Sequence, residues 1–515
     1  MTEDGALDVA FRPLKRTPTM PEGQNANNLG PAAAAVGAHT PRGHVYRAAA
    51  ESQASLRHPS TASADSPGLT KAPLAENGPP NGGHKLDKFA YSFFDPQMAP
   101  FRKIVIKILG MVTVLSVIVM WLCLPLYWGS LWKADKYTNK LTVRVIDRDG
   151  STLGASISQG LLAQTNLKYF TTSPSEFPTS DDVAHDIVQE GAWASIVISA
   201  GATAALQTAR QIGNASYNGS EVVQVYYAQA RQETAVGNYL LPHMQIALGQ
   251  ICGQVGAQSN TQYLSQNAGN QTAITLLATA PSTISNPVFY TLNNLRPYNQ
   301  PVAAAITLVG LIYMLIFAFI ITMANNACRE IISPFLTTRA YIGYRLMVPM
   351  LLYLILSFFF AMINLPFKVH FAAHFTYGGG FFLWWFVLYL GMSSVGLATE
   401  FAITILGPKF MAFFLIPLII VNVSVATNPH ELQPWIYRYG LAMPFFNVGR
   451  AVRTIIFDTK NELGRNIGIL LGWIGLSLVT IPVATWIFRR ESVNAHQKAM
   501  AETEKDTTTP DGRIV

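Results

Sequence analysis

A soluble chain of this length carries roughly a quarter charged residues, whereas this one, at 515 residues, carries 13%, with half its residues apolar and a mean hydropathy of +0.25. That excludes an ordinary water-soluble protein and points to lipid as the solvent. The net charge of +7 does not indicate a nucleic-acid partner, because the basic residues gather in tails and in loops beside apolar runs, where positive-inside anchoring accounts for many of them.

The first 88 residues are rich in Ala, Pro, Gly, Asn and Ser and poor in aromatics. They cannot bury enough apolar surface to fold alone, and a disordered cytoplasmic tail is expected. Phe89, Tyr91, Phe93 and Phe94 then form an aromatic cluster suited to the membrane interface. The first apolar run, residues 104–124, follows at once. The chain opens with about 100 polar residues, so this run is expected to serve as the targeting signal and to stay in the membrane. Residues 89–130 are therefore read as an interfacial segment plus the first transmembrane helix.

Residues 131–300 are hydrophilic and read as a folded α+β domain. Leu141-Thr-Val-Arg-Val-Ile-Asp147 alternates as a half-buried strand does, and Asp147-Arg-Asp-Gly150 supplies a turn. Ala194-Ser-Ile-Val-Ile-Ser199 reads as a second strand. Ser220 is placed to cap a helix carrying Val222, Val223, Tyr226, Tyr227 and Ala230. Of the three cysteines, Cys123, Cys252 and Cys328, only Cys252 belongs to this domain, so no internal disulfide is available to it and no CxxC pair suggests zinc or redox chemistry.

Five more apolar runs follow, at residues 302–324, 346–365, 380–399, 410–427 and 467–488. Each meets or approaches the 20 or so residues needed to cross a bilayer, and continuous rather than alternating apolarity indicates helices. Pro349, Pro417 and Pro482 are expected to kink them. Residues 428–466 are too polar to span and, with Tyr437 through Asn447, too aromatic for a solvated loop; an interfacial or re-entrant helix fits, with Gly440 and Pro444 as breakers. The fold class is thus a polytopic α-helical membrane protein: six transmembrane helices, a large α+β non-cytoplasmic domain inserted between helices 1 and 2, a five-helix domain over residues 301–490 and a cytoplasmic tail over residues 491–515.

Lys85, Lys88, Arg102, Lys103 and Lys107 near the first span, Arg329, Arg339 and Arg345 after the second, and Arg489 and Arg490 after the sixth place both termini in the cytoplasm. Arg438, Arg450, Arg453 and Arg465 dissent, since they fall in an outside loop, although Glu431, Asp458 and Glu462 there offset some of that charge. Three N-x-[ST] triplets, at Asn214, Asn218 and Asn270, all lie in the domain assigned to the outside and are candidate glycosylation sites. A fourth, at Asn422, sits inside the fifth span and should be inaccessible.

The order of parts, with the Pro125-Leu-Tyr-Trp-Gly129 exit of the first span, Val143 through Gly150, Gly191-Ala-Trp-Ala-Ser-Ile-Val-Ile198, Asn294-Leu-Arg-Pro-Tyr-Asn299, and Tyr437 through Asn447 with Arg450, resembles the fungal nitrosoguanidine-resistance membrane proteins. Those in turn are similar to the permease-like group that includes bacterial phage-infection proteins and the permease half of export-type ABC transporters. The resemblance runs from about Phe101 to Arg490. It implies a plasma-membrane protein, or one of another secretory-pathway membrane, that contributes to resistance to toxic compounds or to lipid transport and asymmetry. It transfers no catalytic residue.

No G-x-x-x-x-G-K-[ST] loop is present, so ATP-driven transport would need a separate ATP-binding subunit or a lipid flippase as partner. The segment 325–345, with Arg329, Glu330 and Arg339, is the candidate cytoplasmic coupling loop; a plain positive-inside loop is the competing reading. Glu400 lies at the seam of the fourth and fifth spans, where a buried carboxylate marks function and a snorkelling ion pair with Lys409 explains it equally. His370 and His374 stand four apart, but Gly378-Gly-Gly380 follows and a solvated loop is preferred to a zinc site. No G-x-S-x-G elbow is present. Asn364, Ser393, Ser394, Asn422 and Ser424 suit helix–helix hydrogen bonds or a lined pathway. Catalytic residues, cofactors and metals are expected to be absent. Membrane lipids are the expected partners and a homodimer follows by analogy alone. Two functions stand: a permease-like protein for lipids or amphipathic toxic compounds, which the export-like layout favours, and a non-transporting regulator or scaffold of stress response, which the missing ATP-binding loop and a scarcity of buried charge favour.

Overall fold

The computed structural model describes residues 90–507. The expected tail over residues 1–88 lies outside the described residues, as do Phe89 and residues 508–515.

Six helices are long and apolar enough to cross a membrane, in the order expected. The first, α1 (Ala99–Leu131), presents Ile106, Leu109, Trp121 and Leu122 outward along its length, and packs chiefly against a later span rather than entering the bundle core. A helix clad in apolar side chains with so few protein neighbours is stable only in lipid.

The domain that follows is a five-stranded mixed sheet of order β2-β1-β3-β4-β5. Its strands are β1 (Thr142–Asp147), β2 (Lys168–Thr171), β3 (Ala194–Ile198), β4 (Val223–Tyr227) and β5 (Tyr290–Asn294). β1 runs parallel to both β2 and β3, β3 pairs antiparallel with β4, and β4 is parallel to β5. Helices α2 (Thr152–Leu162), α3 (Ser180–Val188), α4 (Ala202–Ile212), α5 (Leu241–Gln266) and α6 (Gln271–Thr279) supply the crossovers and cover. One face of the sheet, with Val143, Val145, Ile196 and Val225, packs on Leu153, Ile157, Leu206 and Leu248. The other face places Ile146 and Val197 against Val183 of α3. With cover on both sides, every residue of β3 is buried, which is why its sequence is apolar at every position but Ser195. The turn after β1 is closed by Asp147 Oδ1, which accepts from the N–H groups of Asp149 and Gly150 at 3.0 Å each.

The helix expected after Ser220 is instead strand β4. Val223, Val225 and Tyr227 are buried and alternate with half-buried Gln224 and Tyr226. β-branched and aromatic residues in period two favour a pleated surface over a helix. The capping side chain is Asn218, not Ser220: its Oδ1 accepts from Ser220 N at 3.1 Å.

The remaining spans are α7 (Gly310–Ile332), entered through a π-helical turn at Ala305–Val309, then α8 (Thr338–Met362), α9 (Tyr377–Leu406) and α10 (Met411–Ala426). After a further buried helix, α11 (Pro444–Phe457), comes α12 (Leu463–Thr507), of which Leu463–Glu491 has spanning character. The expected C-terminal tail thus begins as a continuation of α12. α9 is the central helix, buried almost throughout from Val387 to Ile403. Two of its glycines permit close approach: a Cβ at Gly391 would lie 2.7 Å from Val448 of α11, and one at Gly396 would lie 2.4 Å from the ring of Tyr353 on α8. Gly440 and Pro444 do not break a helix. Gly440 gives room to Val425, which a Cβ there would meet at 2.5 Å, and Pro444 opens α11 at a position whose N–H has no helical partner anyway.

Candidate functional site

Two polar assemblies stand out against this apolar bundle, one at each end. The first is the junction between the sheet domain and the bundle. α11 sends Phe445, Val448, Val452, Ile455 and Ile456 into the bundle core. Arg450 and Arg453, three apart and so on one face, meet the sheet domain instead. Arg450 Nη2 donates to both oxygens of Glu190 at 2.8 Å and lies 3.2 Å from Glu462. Arg453 Nη2 reaches Glu233 at 2.9 Å. Arg231, stacked 3.7 Å over the ring of Trp193, lies 4.0 Å from Glu190 and 3.7 Å from Glu431. Arg296 binds Asp458 at 2.6 Å, and His374 Nδ1 approaches the other Asp458 oxygen at 2.6 Å.

Glu190 and Asp458, the two carboxylates at the hubs, both have left-handed backbones, with φ of 65° and 54°. Such conformations are uncommon outside glycine and persist where surrounding contacts impose them. Burial pushes the Glu190 carboxyl up, but Arg231 and Arg450 outweigh it and hold the group below the usual carboxylate range. Burial holds His430 below the ordinary imidazole value, with Glu431 opposing and Arg450 adding to the depression.

The junction encloses a cavity of about 610 Å³. Six basic side chains line it, namely Lys140, Arg231, Arg438, Arg450, Arg453 and Arg465, against three carboxylates, Glu190, Glu431 and Glu462. Val425, Leu441, Phe445 and Phe446 supply an apolar wall, and Trp435, 80% exposed, stands at the rim. An excess of cations beside aromatic side chains suits an amphipathic guest with an anionic head. The motifs that carry the family resemblance converge here. Tyr437 Oη donates to Leu126 O at 2.7 Å, and Gly129 clears space for that ring, since a Cβ would lie 2.6 Å from Oη. Trp193, Arg296 and Arg450 each hold part of the junction; Val143 through Gly150 alone serves the sheet.

The second assembly lies inside the spans. Glu400 on α9 is fully buried. It accepts from Arg329 of α7 and, at 3.0 Å, from Asn325 Nδ2; Arg345 Nη2 of α8 lies 3.7 Å away. Arg345 also donates to Glu400 O at 2.9 Å, to Thr485 Oγ1 of α12 at 2.7 Å, and to Thr404. Thr322 and Thr399 share a 2.7 Å hydrogen bond one turn deeper. Three helices, α7, α8 and α9, therefore meet at one carboxylate, and Arg345 extends the cluster to α12.

This arrangement corrects several expectations. Glu400 is not at a helix end, because α9 continues to Leu406, and Lys409 is exposed on the turn Pro408–Phe410 rather than paired with it. The proposed coupling loop is not a separate helix: α7 and α8 leave only residues 333–337 between them. Arg329 and Arg345 point into the bundle, while Glu330 bonds Asn326 at 3.0 Å on the surface and Arg339 is exposed at the start of α8. Buried charge is not scarce. Asn214, Asn218 and Asn270 are exposed on the sheet domain, and Asn422 is buried in α10, accepting from Phe445 N at 3.2 Å. Among the described residues no group of three His, Cys, Asp or Glu is placed to hold a metal ion. Sequence reasoning missed Glu190 and Glu233 altogether, and read Asp458 only as an offset to the loop's arginines. The signal available was the pair Arg450 and Arg453 on one face of an apolar segment, which demands acidic partners.

No solved structure matches the chain. An uncharacterized endoplasmic reticulum membrane protein of Saccharomyces cerevisiae is 26% identical over 442 residues, covering 79% of this chain and 85% of that protein. Residues 112–479, from within the first span to the sixth, match the family described as Protein of unknown function (DUF3533), and the chain belongs to that family.

Proposed function

We propose that this membrane protein is a permease-like carrier of amphipathic compounds, lipids among them, which takes its substrate at the junction cavity and performs no covalent chemistry. The observation that carries the reading is the cavity's mixed lining, six basic side chains against three carboxylates, together with aromatic and aliphatic ones. An amphipathic anion meets both the basic and the apolar lining at once, and a purely apolar molecule does not. The resemblance to nitrosoguanidine-resistance and phage-infection proteins supports the same class of cargo. Both termini are assigned to the cytoplasm and the sheet domain to the opposite side. The relative's name favours the endoplasmic reticulum over the plasma membrane, and both belong to the secretory pathway. A separate ATP-binding subunit is the proposed source of energy, since no phosphate-cradling loop is present in the sequence.

The regulator or scaffold reading leaned on the missing ATP-binding loop and on a scarcity of buried charge, and Glu400, Arg329 and Arg345 remove the second of these supports. Reconstitution tests the proposal. Vesicles holding the full-length protein should move a fluorescent anionic lipid between leaflets, alone or with an ATP-binding partner recovered by co-purification. Arg438→Glu, which turns one cavity cation into an anion, should slow that movement. Absence of any flux under both conditions, with protein correctly inserted, would overturn the carrier reading in favour of a regulator.

A further inference from the structure

A second cavity, of about 460 Å³, opens at the end of the bundle away from the sheet domain, between the ends of α7, α8, α9 and α12. Three guanidinium groups line it. Those of Arg329 and Arg345 are 3% and 4% exposed. Arg489 donates to the carbonyls of Ser333, at 2.9 Å, and Leu336, and its guanidinium lies 4.5 Å over the ring of Tyr341. Among the described residues Glu400 is the one carboxylate within ion-pair distance of any of the three. The wall therefore carries two positive charges more than its own carboxylate neutralises.

Excess charge inside an apolar bundle is costly unless a counter-ion accompanies it. The Nε atoms of Arg345 and Arg489 are buried and have no hydrogen-bond partner in the protein, so each guanidinium retains donor capacity. Ser333, Tyr341, Thr404 and Thr485 add hydroxyls around them. The outer lining is apolar: Phe488 and Val493 are 45% and 42% exposed, and Ile331 and Phe335 nearby are 72% and 86% exposed. Arginine recognises phosphate by paired N–H donors, and an apolar rim at a span end lies where acyl chains begin.

We infer that this cavity binds the phosphate of a phospholipid from the leaflet opposite the sheet domain, with preference for a phosphate monoester such as phosphatidic acid. The preference follows from charge: an excess of two matches a dianion better than the single charge of a diester headgroup. The site stands apart from the junction cavity and does not require that the protein transport anything.

The test uses full-length protein purified in detergent and titrated with phosphatidic acid, phosphatidylcholine or inorganic phosphate, read by native mass spectrometry and by the shift in unfolding temperature. Phosphatidic acid should bind saturably and raise the unfolding temperature, and phosphatidylcholine should bind at least about tenfold more weakly. Losing one charge-assisted contact weakens binding by roughly tenfold or more, so Arg489→Gln should reduce affinity by that factor. Ser333→Glu, which brings a carboxylate to the rim while leaving every arginine in place, should do the same and decides the matter if R489Q does not fold. Arg490→Gln, outside the cavity, should change nothing. Equal binding of phosphatidylcholine, or unchanged affinity in a folded S333E protein, would overturn the site. Full displacement of phosphatidic acid by equimolar inorganic phosphate would overturn the lipid as its ligand.

Discussion

Replacing Glu400 by Gln asks whether charge holds the four-helix cluster together. Gln keeps the volume of Glu and one carbonyl oxygen, so no cavity forms and the perturbation is electrostatic. Arg345 retains its bonds to Glu400 O, at 2.9 Å, to Thr485, at 2.7 Å, and to Thr404, because none involves the carboxylate. Arg329 keeps Asn326 Oδ1 at 2.9 Å and loses its carboxylate. Breaking a buried pair by removing one partner costs about 3–5 kcal/mol. Since one of the two arginines is otherwise well bonded, the lower end applies, about 3 kcal/mol. Removing the orphaned charge too, in Arg329→Gln with Glu400→Gln, should restore about 1–2 kcal/mol of that loss, because desolvating an unpaired guanidinium is what the single variant suffers. Equilibrium unfolding in mixed micelles, followed by tryptophan fluorescence, gives all three values. The expected order of stability is native, then the double variant, then E400Q. An E400Q protein within about 0.5 kcal/mol of native, or a double variant less stable than E400Q, would refute a cluster held by charge.

Three further outcomes follow from the junction and the domain. Arg450 and Glu190 form a two-pronged pair with side chains 27% and 14% exposed, so a double-mutant cycle with alanine should return a coupling of about 1–2 kcal/mol; a coupling near zero would mean the domain docks without it. His430 titrates below the usual imidazole range because it is buried. Between the unfolded value of about 6.5 and the lower folded one, the unfolded chain binds more protons, so stability should fall as pH drops through that window and the fall should be smaller in His430→Gln. Equal pH slopes from pH 7.5 to 5.5 for the two proteins would remove His430 from the account. Finally, a glycosidase-sensitive mobility shift should vanish when Asn214, Asn218 and Asn270 are all replaced by Gln, and Asn422→Gln should leave it unchanged; a persistent shift, or none in a glycosylating host, would reverse the sidedness of the sheet domain.

Lipid solvation is what made the spans readable. A helix in hydrocarbon must be apolar over its whole length, so five stretches announced themselves by composition, and the short 410–427 stretch is α10. The ends were less legible for the same reason. α9 carries Thr399, Glu400 and Thr404 in its last two turns, and such residues lower the apolar signal whether a helix stops or merely turns to face partners. Within the domain, β1 and β3 were visible in their patterns, while β4 was taken for a helix because Val222, Val223, Tyr226, Tyr227 and Ala230 fit a helical face as well as a strand. Only pairing with β3 and β5 on either side decides between them, and pairing across 25 or more residues is not a local property of sequence.

Charge misled in both directions, and the physical cause is shared. Counting loop arginines assumes that each is solvated and so reports which side of the membrane it prefers. Arg329 and Arg345 were counted for the cytoplasm, but they belong to Glu400 in the core. Arg450 and Arg453 were counted against it, but they belong to Glu190 and Glu233 of the sheet domain. A guanidinium matched by a carboxylate contributes to packing between elements and little to orientation. Removing these four from the tally leaves the dissent of the 428–466 loop resting on Arg438 and Arg465, the latter 3.3 Å from Glu462. The helix order then does what the charges could not. Successive crossings put the sheet domain, the loop holding His374 and the loop holding α11 on one side, which is where Asp458 gathers Arg296 and His374 from all three.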